Sequence, residues 1–235
     1  MTITTTTLTR AAGVAAVVGG LLYLGVQINH PHLDLDFVTT TEWKVRQTMK
    51  MFFAVLSLAG ITGMYLRQVT RSGVLGLVGY LVLATGFLVM LSTEIIGAVV
   101  IPSIVATSPD YVTDVLAVAV PGGQATGDLG LIQQLTTIQG IAYLAGGFLF
   151  GIALFRARVL ARWAAALLAL AAVATLVIPL LPQVNFRLFA IPTGVALVGL
   201  GYSLWRDQRT PASGSLAAGS LPGSTSSKLD PAGAK

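Results

Sequence analysis

Glu94 is the single carboxylate set inside a long apolar stretch of this sequence, residues 73–101. An ionisable side chain placed there costs free energy unless it is paired or wetted, so it marks either a structural ion pair or a point where a ligand or proton is held. Lys50 and Arg46 are the cations expected at similar depth. Around them polar side chains recur at the helical spacing that puts residues three, four and seven apart on one face. Tyr23, Gln27 and His30 form one such stripe, and Arg46, Gln47, Lys50, Ala54 and Ser57 a second. Gln133, Thr136, Thr137 and Gly140 form a third, with Gln134 and Gln139 close by. All lie toward one end of their segments, whose other halves are almost purely apolar. The pattern predicts a polar cup open to one side of a membrane, with Glu94, Lys50, Arg46, Gln27, Tyr23, Gln133 and Thr137 as its ligand-binding residues.

A second constellation is His30, His32, Asp34 and Asp36, spaced by two. An extended strand would carry both imidazoles and both carboxylates on one face, a donor set suited to zinc and related divalent ions. The same alternation gives Leu33, Leu35 and Phe37 the opposite face, as in a segment resting on a membrane surface. Neighbouring ligands on one strand rarely close a tetrahedral site by themselves, and the chain has only two His. It has no Cys, which removes disulfides, thiolate metal sites and Cys nucleophiles together. With both His in one segment, a haem held from two helices of one chain is excluded. No cofactor is therefore expected, a divalent metal on the His30–Asp36 segment being the exception. Phosphate-binding Gly-Lys-Ser/Thr, Gly-x-Ser-x-Gly and His-Glu-x-x-His motifs are absent. Two functions fit these residues: a transport-related or accessory protein whose cup takes a small molecule, lipid head group or partner segment, or an enzyme at the outer leaflet. The enzyme would use Glu94 as acid and base, or the His/Asp metal.

The elements that must position these groups follow from composition. Of 235 residues 54% are apolar and 10% charged, against about 25% charged in a soluble domain. Six apolar segments approach or exceed the roughly 20 residues that cross a bilayer: 11–28, 47–66, 73–101, 135–155, 159–181 and 186–205. The first has no small-residue cleavage site after it and reads as a retained span rather than a secretory signal. The third exceeds what a bilayer requires, so it tilts or emerges, which puts Glu94 in its outer part. The expected fold is all-α: a six-helix transmembrane bundle over 11–206, a flexible start at 1–10 and a disordered tail at 207–235. In the long connection 102–134, Ser108-Pro109-Asp110 is a helix start, predicting a short helix over 111–120 that Pro121-Gly122-Gly123 ends. Pro192 should kink the last span.

Charge sets the expected orientation, since Lys and Arg concentrate on cytoplasmic connections. With the N-terminus inside, Arg10, Arg67, Arg71, Arg156, Arg158, Arg162, Arg206, Arg209, Lys228 and Lys235 are internal, and only Lys44, Arg46, Lys50 and Arg187 external. The acids run the other way, only Asp207 and Asp230 being internal. The net charge of +5 is thus an orientation signal for a bacterial inner-membrane protein with both termini cytoplasmic. The partner it indicates is a lipid bilayer, and nucleic acid is not expected.

Small residues recur at Gly60/Gly63, Gly76/Gly79 and Gly147/Gly151, the spacing that lets helices approach closely in lipid. Gly13–Tyr23 and Gly140–Phe150 share their glycines and a terminal aromatic. Convergence on small-residue packing explains the match, and an inverted three-plus-three repeat is the alternative. Finally, Gly146-Gly-Phe-Leu-Phe-Gly-Ile-Ala-Leu-Phe-Arg156-Ala-Arg-Val-Leu-Ala-Arg162-Trp163 and the Leu-rich run after it resemble a broad group of uncharacterised small polytopic bacterial membrane proteins. In these a span ends in a short Arg-bearing turn and the next begins at Arg-Trp. That resemblance implies a topology and no activity.

Overall fold

The computed structural model describes residues 3–120, 122–175, 188 and 190–207. Every regular element among them is helical: α1 (Thr5–Gln27), α2 (Leu35–Val38), α3 (Thr41–Arg67), α4 (Val69–Ile95), a π-helical turn (Ile96–Val100), α5 (Ile101–Ile104), α6 (Pro109–Val118), α7 (Leu131–Ala157), α8 (Arg162–Thr175) and α9 (Ala190–Asp207). Among the described residues, four helices are long and apolar enough to cross a membrane: Thr5–Gln27, Thr41–Arg67, the run Val69–Ile104 and Leu131–Ala157. They mark a membrane protein. Arg162–Thr175 is a shorter apolar helix. The rest of the fifth expected span, the start of the sixth, Arg187, Pro121 and the tail from 208 lie outside the described residues.

α1 and α3 begin earlier than their apolar segments do, because caps rather than hydropathy set their starts. Thr4 accepts the Thr7 amide and starts α1 at Thr5, within the stretch expected to be flexible. Thr40 accepts the Trp43 amide at 3.1 Å and starts α3 at Thr41, six residues before the apolar run. Gly73, at φ 57° and ψ −161°, breaks α4 after its first turn, a conformation open essentially to glycine alone. The kink thus falls at the first residue of the third apolar segment, inside the run Val69–Ile104. Glu94 lies 21 residues further on, about 32 Å at 1.5 Å per residue, which is the thickness of the hydrocarbon layer.

Neighbours in sequence are neighbours in space: α1, α3, α4, α7, α8 and α9 each pack on the next, and α9 closes against α1. The tightest crossings are antiparallel and use glycine. A methyl on Gly13 would lie 2.8 Å from the Gly201 carbonyl, one on Gly20 2.7 Å from that of Gly194, and one on Gly79 2.5 Å from the Phe150 amide nitrogen. The closed order also decides between the two explanations of the shared glycines. A two-fold axis in the membrane plane reverses the sense in which helices are met around the ring, whereas here the chain runs round it in one sense throughout. The faces agree: Gly19 meets Ser57 of α3 and Gly20 meets α9, but Gly146 meets Leu83 of α4 and Gly147 meets Ala172 of α8. An inverted repeat would pair Gly19 with the residue facing α8, so the glycines reflect close packing.

The ring is filled by Phe53, Phe87, Phe150, Ile61, Leu83 and their neighbours. A second apolar cluster, Phe37, Val38, Trp43, Ile101, Val112 and Leu116, caps one end. It carries α2 and α6, so the polar ends of α3, α4 and α7 are roofed rather than open. At the other end an Arg67–Asp207 ion pair of 2.6 Å ties α3 to α9.

Candidate functional site

Beneath that roof lies a cavity of about 190 Å³. Lys50 of α3 and Glu94 of α4 face each other in it, Nζ to Oε2 3.6 Å, with side chains 24% and 15% exposed. Lys50 Nζ also donates to Gln47 Oε1 at 2.9 Å, so the amide one turn earlier aims the ammonium. Thr93 of α4 donates to Gln139 Oε1 of α7 at 2.7 Å, and Thr136 adds a second hydroxyl from α7. Trp43, Ile96 and Ile101 form the apolar wall; Val115 and Leu116 of α6 and Ala119 just after it close it from above with His30 and Leu33.

Local sequence explains the placement. Trp43, Gln47 and Lys50 are four and three residues apart and therefore share one face of α3. The helix opposite them widens into its π-helical turn two residues after Glu94, a feature found often at functional sites. Trp43 Nε1 donates to the Gly97 carbonyl of this turn at 2.8 Å. Gly97 has no side chain to hold Gln47 off: a Cβ there would collide with the Gln47 amide.

The expected ligand-binding residues separate into two sets. Glu94 and Lys50 come together in the cavity. Arg46 does not join them: its guanidinium donates to the carbonyls of Val26 at 2.7 Å and of Ile28 and Asn29 at 3.1 Å, and it pairs with Glu42 at 2.7 Å. It thus satisfies carbonyls that the end of α1 leaves without helical partners. Tyr23 stacks on Phe53 at 4.2 Å within the aromatic core. Gln27 ends α1 half-buried, and it is not among the residues lining the cavity. Gln133 and Thr137 are exposed on the outer face of α7, Thr137 donating to the Gln133 carbonyl. The inward stripe of that helix is Ile132, Thr136 and Gln139. Trp43, Thr93 and Gly97 were not singled out from sequence, although Trp43 stands one turn before Gln47 and Thr93 adjoins Glu94.

The His-Asp segment is not a strand. Asp34 caps α2, its Oδ1 accepting the Phe37 amide at 2.8 Å, and Asp36 sits exposed within that short helix. The period-two face that would gather four ligands is therefore absent, and among the described residues no three His, Asp or Glu converge on a metal position. His32 and Asp34 instead border an outer cleft of about 670 Å³, between this segment and α6. His30, Leu33 and Leu116 line both spaces and so form the partition between cleft and cavity.

The roof has its own polar anchor. Asp114, on the buried side of α6, accepts the amides of Thr126 at 2.9 Å and Gly127 at 2.8 Å, and the Thr126 hydroxyl. These amides, above all that of Thr126, hold its carboxyl below the ordinary aspartate range. The expected helix of this region is present as Pro109–Val118, with Pro109 in its first turn and no side-chain cap from Ser108. Comparison of the chain with protein-family models, with curated proteins and with solved structures finds no match.

Proposed function

We propose that this is a six-span protein of a bacterial cytoplasmic membrane, both termini inside, whose roofed cavity binds a small polar molecule from the outer side in a transport-related or accessory role. One observation carries the reading: an ion pair and two carboxamides line a void instead of being packed shut. Groups kept for structure alone are normally enclosed by their partners, because a buried polar group without a partner costs about 1–3 kcal/mol. The orientation is supported by charge. Arg67, Arg71, Arg156, Arg158, Arg162 and Arg206 belong to the end opposite the cavity, as cytoplasmic ends require.

Because the sequence has no Cys, single-cysteine labelling has no background. A membrane-impermeant maleimide should label Thr39→Cys in intact cells and Arg71→Cys only after permeabilisation; the reverse pattern overturns the orientation. For the cavity, Thr136→Cys should react with a small methanethiosulfonate added to folded protein. No reaction means that the cavity is sealed, and the binding function falls.

A further inference from the structure

We infer that the molecule bound in this cavity is a small zwitterion, carrying an ammonium for Glu94 and a carboxylate for Lys50. The inference rests on the reading of the cavity as a ligand site and adds the class of ligand. Charge balance within the lining favours such a ligand. Among the described residues, Lys50 and Glu94 are the charged groups of the lining, besides the His30 imidazole, and their separation of 3.6 Å is longer than a charge-assisted hydrogen bond. A bound anion would pair with Lys50 and leave Glu94 uncompensated, and a bound cation would strand Lys50. Removing one partner of an enclosed pair is the costly case. A zwitterion inserted between them replaces one ion pair by two, with no charge left over. The site therefore selects against singly charged analogues of the same shape.

The rest of the lining agrees. Gln47 of α3 and Gln139 of α7 add carboxamides to the lining, and Ile96, Ile101 and Leu116 supply an apolar wall for a short hydrocarbon portion. The volume of about 190 Å³ lies below the roughly 300–1,000 Å³ of pockets for drug-sized ligands. A molecule the size of leucine is the fitting probe.

The test uses the full chain carrying Thr136→Cys, its helical content first checked by circular dichroism. Leucine, leucine amide and N-acetylleucine are compared as protectants against methanethiosulfonate labelling. Leucine should slow labelling by about tenfold at about ten times its Kd, while the amide, lacking the carboxylate, and the acetyl compound, lacking the ammonium, leave the rate unchanged at the same concentrations. Adding Glu94→Gln should invert the preference, so that N-acetylleucine protects and leucine does not; adding Lys50→Met should favour leucine amide. Labelling without protection by leucine overturns the zwitterion while leaving an accessible cavity. Equal protection by all three compounds does the same. No labelling of the folded protein removes the cavity reading and this inference together.

Discussion

The Lys50–Glu94 pair makes a prediction whose size can be worked from its geometry. Lys50→Met and Glu94→Gln each delete one charge while keeping most of the side-chain length. At 3.6 Å the attraction is about 1.2 kcal/mol in bulk water and about 4.6 kcal/mol at an effective dielectric of about 20. With side chains 24% and 15% exposed, the pair sits between these limits, and a coupling on the order of 2–3 kcal/mol is expected. A chain of this length shifts its Tm by about 2–4 °C per kcal/mol, so each single variant should melt roughly 4–12 °C lower. The double variant carries no stranded charge and should melt no lower than the worse single one. The assay is thermal unfolding of the four purified proteins in one detergent at one scan rate, followed by circular dichroism. Losses that simply add, within about 0.5 kcal/mol, would refute the coupling, and with it the claim that the two charges meet inside the protein.

Three further expectations follow from the fold. Gly79→Ala puts a methyl 2.5 Å from the Phe150 backbone nitrogen, whereas Gly140→Ala meets nothing within 4 Å. The first should lower stability by about 1–3 kcal/mol and the second raise it by up to about 1 kcal/mol through helix propensity; equal Tm values would contradict the crossing of α4 and α7. Trp43→Phe leaves the Gly97 carbonyl without its indole donor, a loss of about 1–3 kcal/mol, read as a lower Tm; an unchanged one would mean that the π-helical turn is held by other contacts. Asp114 has a folded pKa below its unfolded one, so its contribution is complete above the unfolded value and lost as pH falls through the folded value. Hydrogen exchange corrected for intrinsic rates should show the Thr126 and Gly127 amides protected at neutral pH and released in acid. In Asp114→Asn they should be less protected at neutral pH and indifferent to acidification.

Periodicity within single helices showed that polar side chains collect at one end of the bundle, but a stripe has edges and only a neighbour decides which edge turns inward. On α7 the stripe is Gln133, Thr136, Thr137 and Gly140 with Gln139 at its edge; the packing turns Thr136 and Gln139 to the cavity, leaving Gln133 and Thr137 outside. On α3 the same stripe holds Arg46 and Gln47, one residue apart. The nearby end of α1 offers three carbonyls to the guanidinium, so Arg46 turns that way and Gln47 takes the cavity. The legible part was thus the depth of the site, and the illegible part its rotation about each helix axis. The His-Asp segment failed for a different reason. Alternation at period two fits a strand, but Asp34 three residues before Phe37 also fits a helix cap, and the apolar partners Phe37 and Val38, buried against Trp43 and Val112, decide for the helix. The π-helical turn has no signature in hydropathy at all, since Ile96, Val99 and Val100 continue the apolar run; its Gly97 carbonyl accepts from a Trp on another helix, a contact that hydropathy does not encode. The roof over the cup was missed because amphipathic helices such as α6 declare an apolar face without saying what it covers. Here it covers the space in which Lys50 and Glu94 face each other, with His30, Leu33 and Leu116 as the wall between that space and the outer cleft.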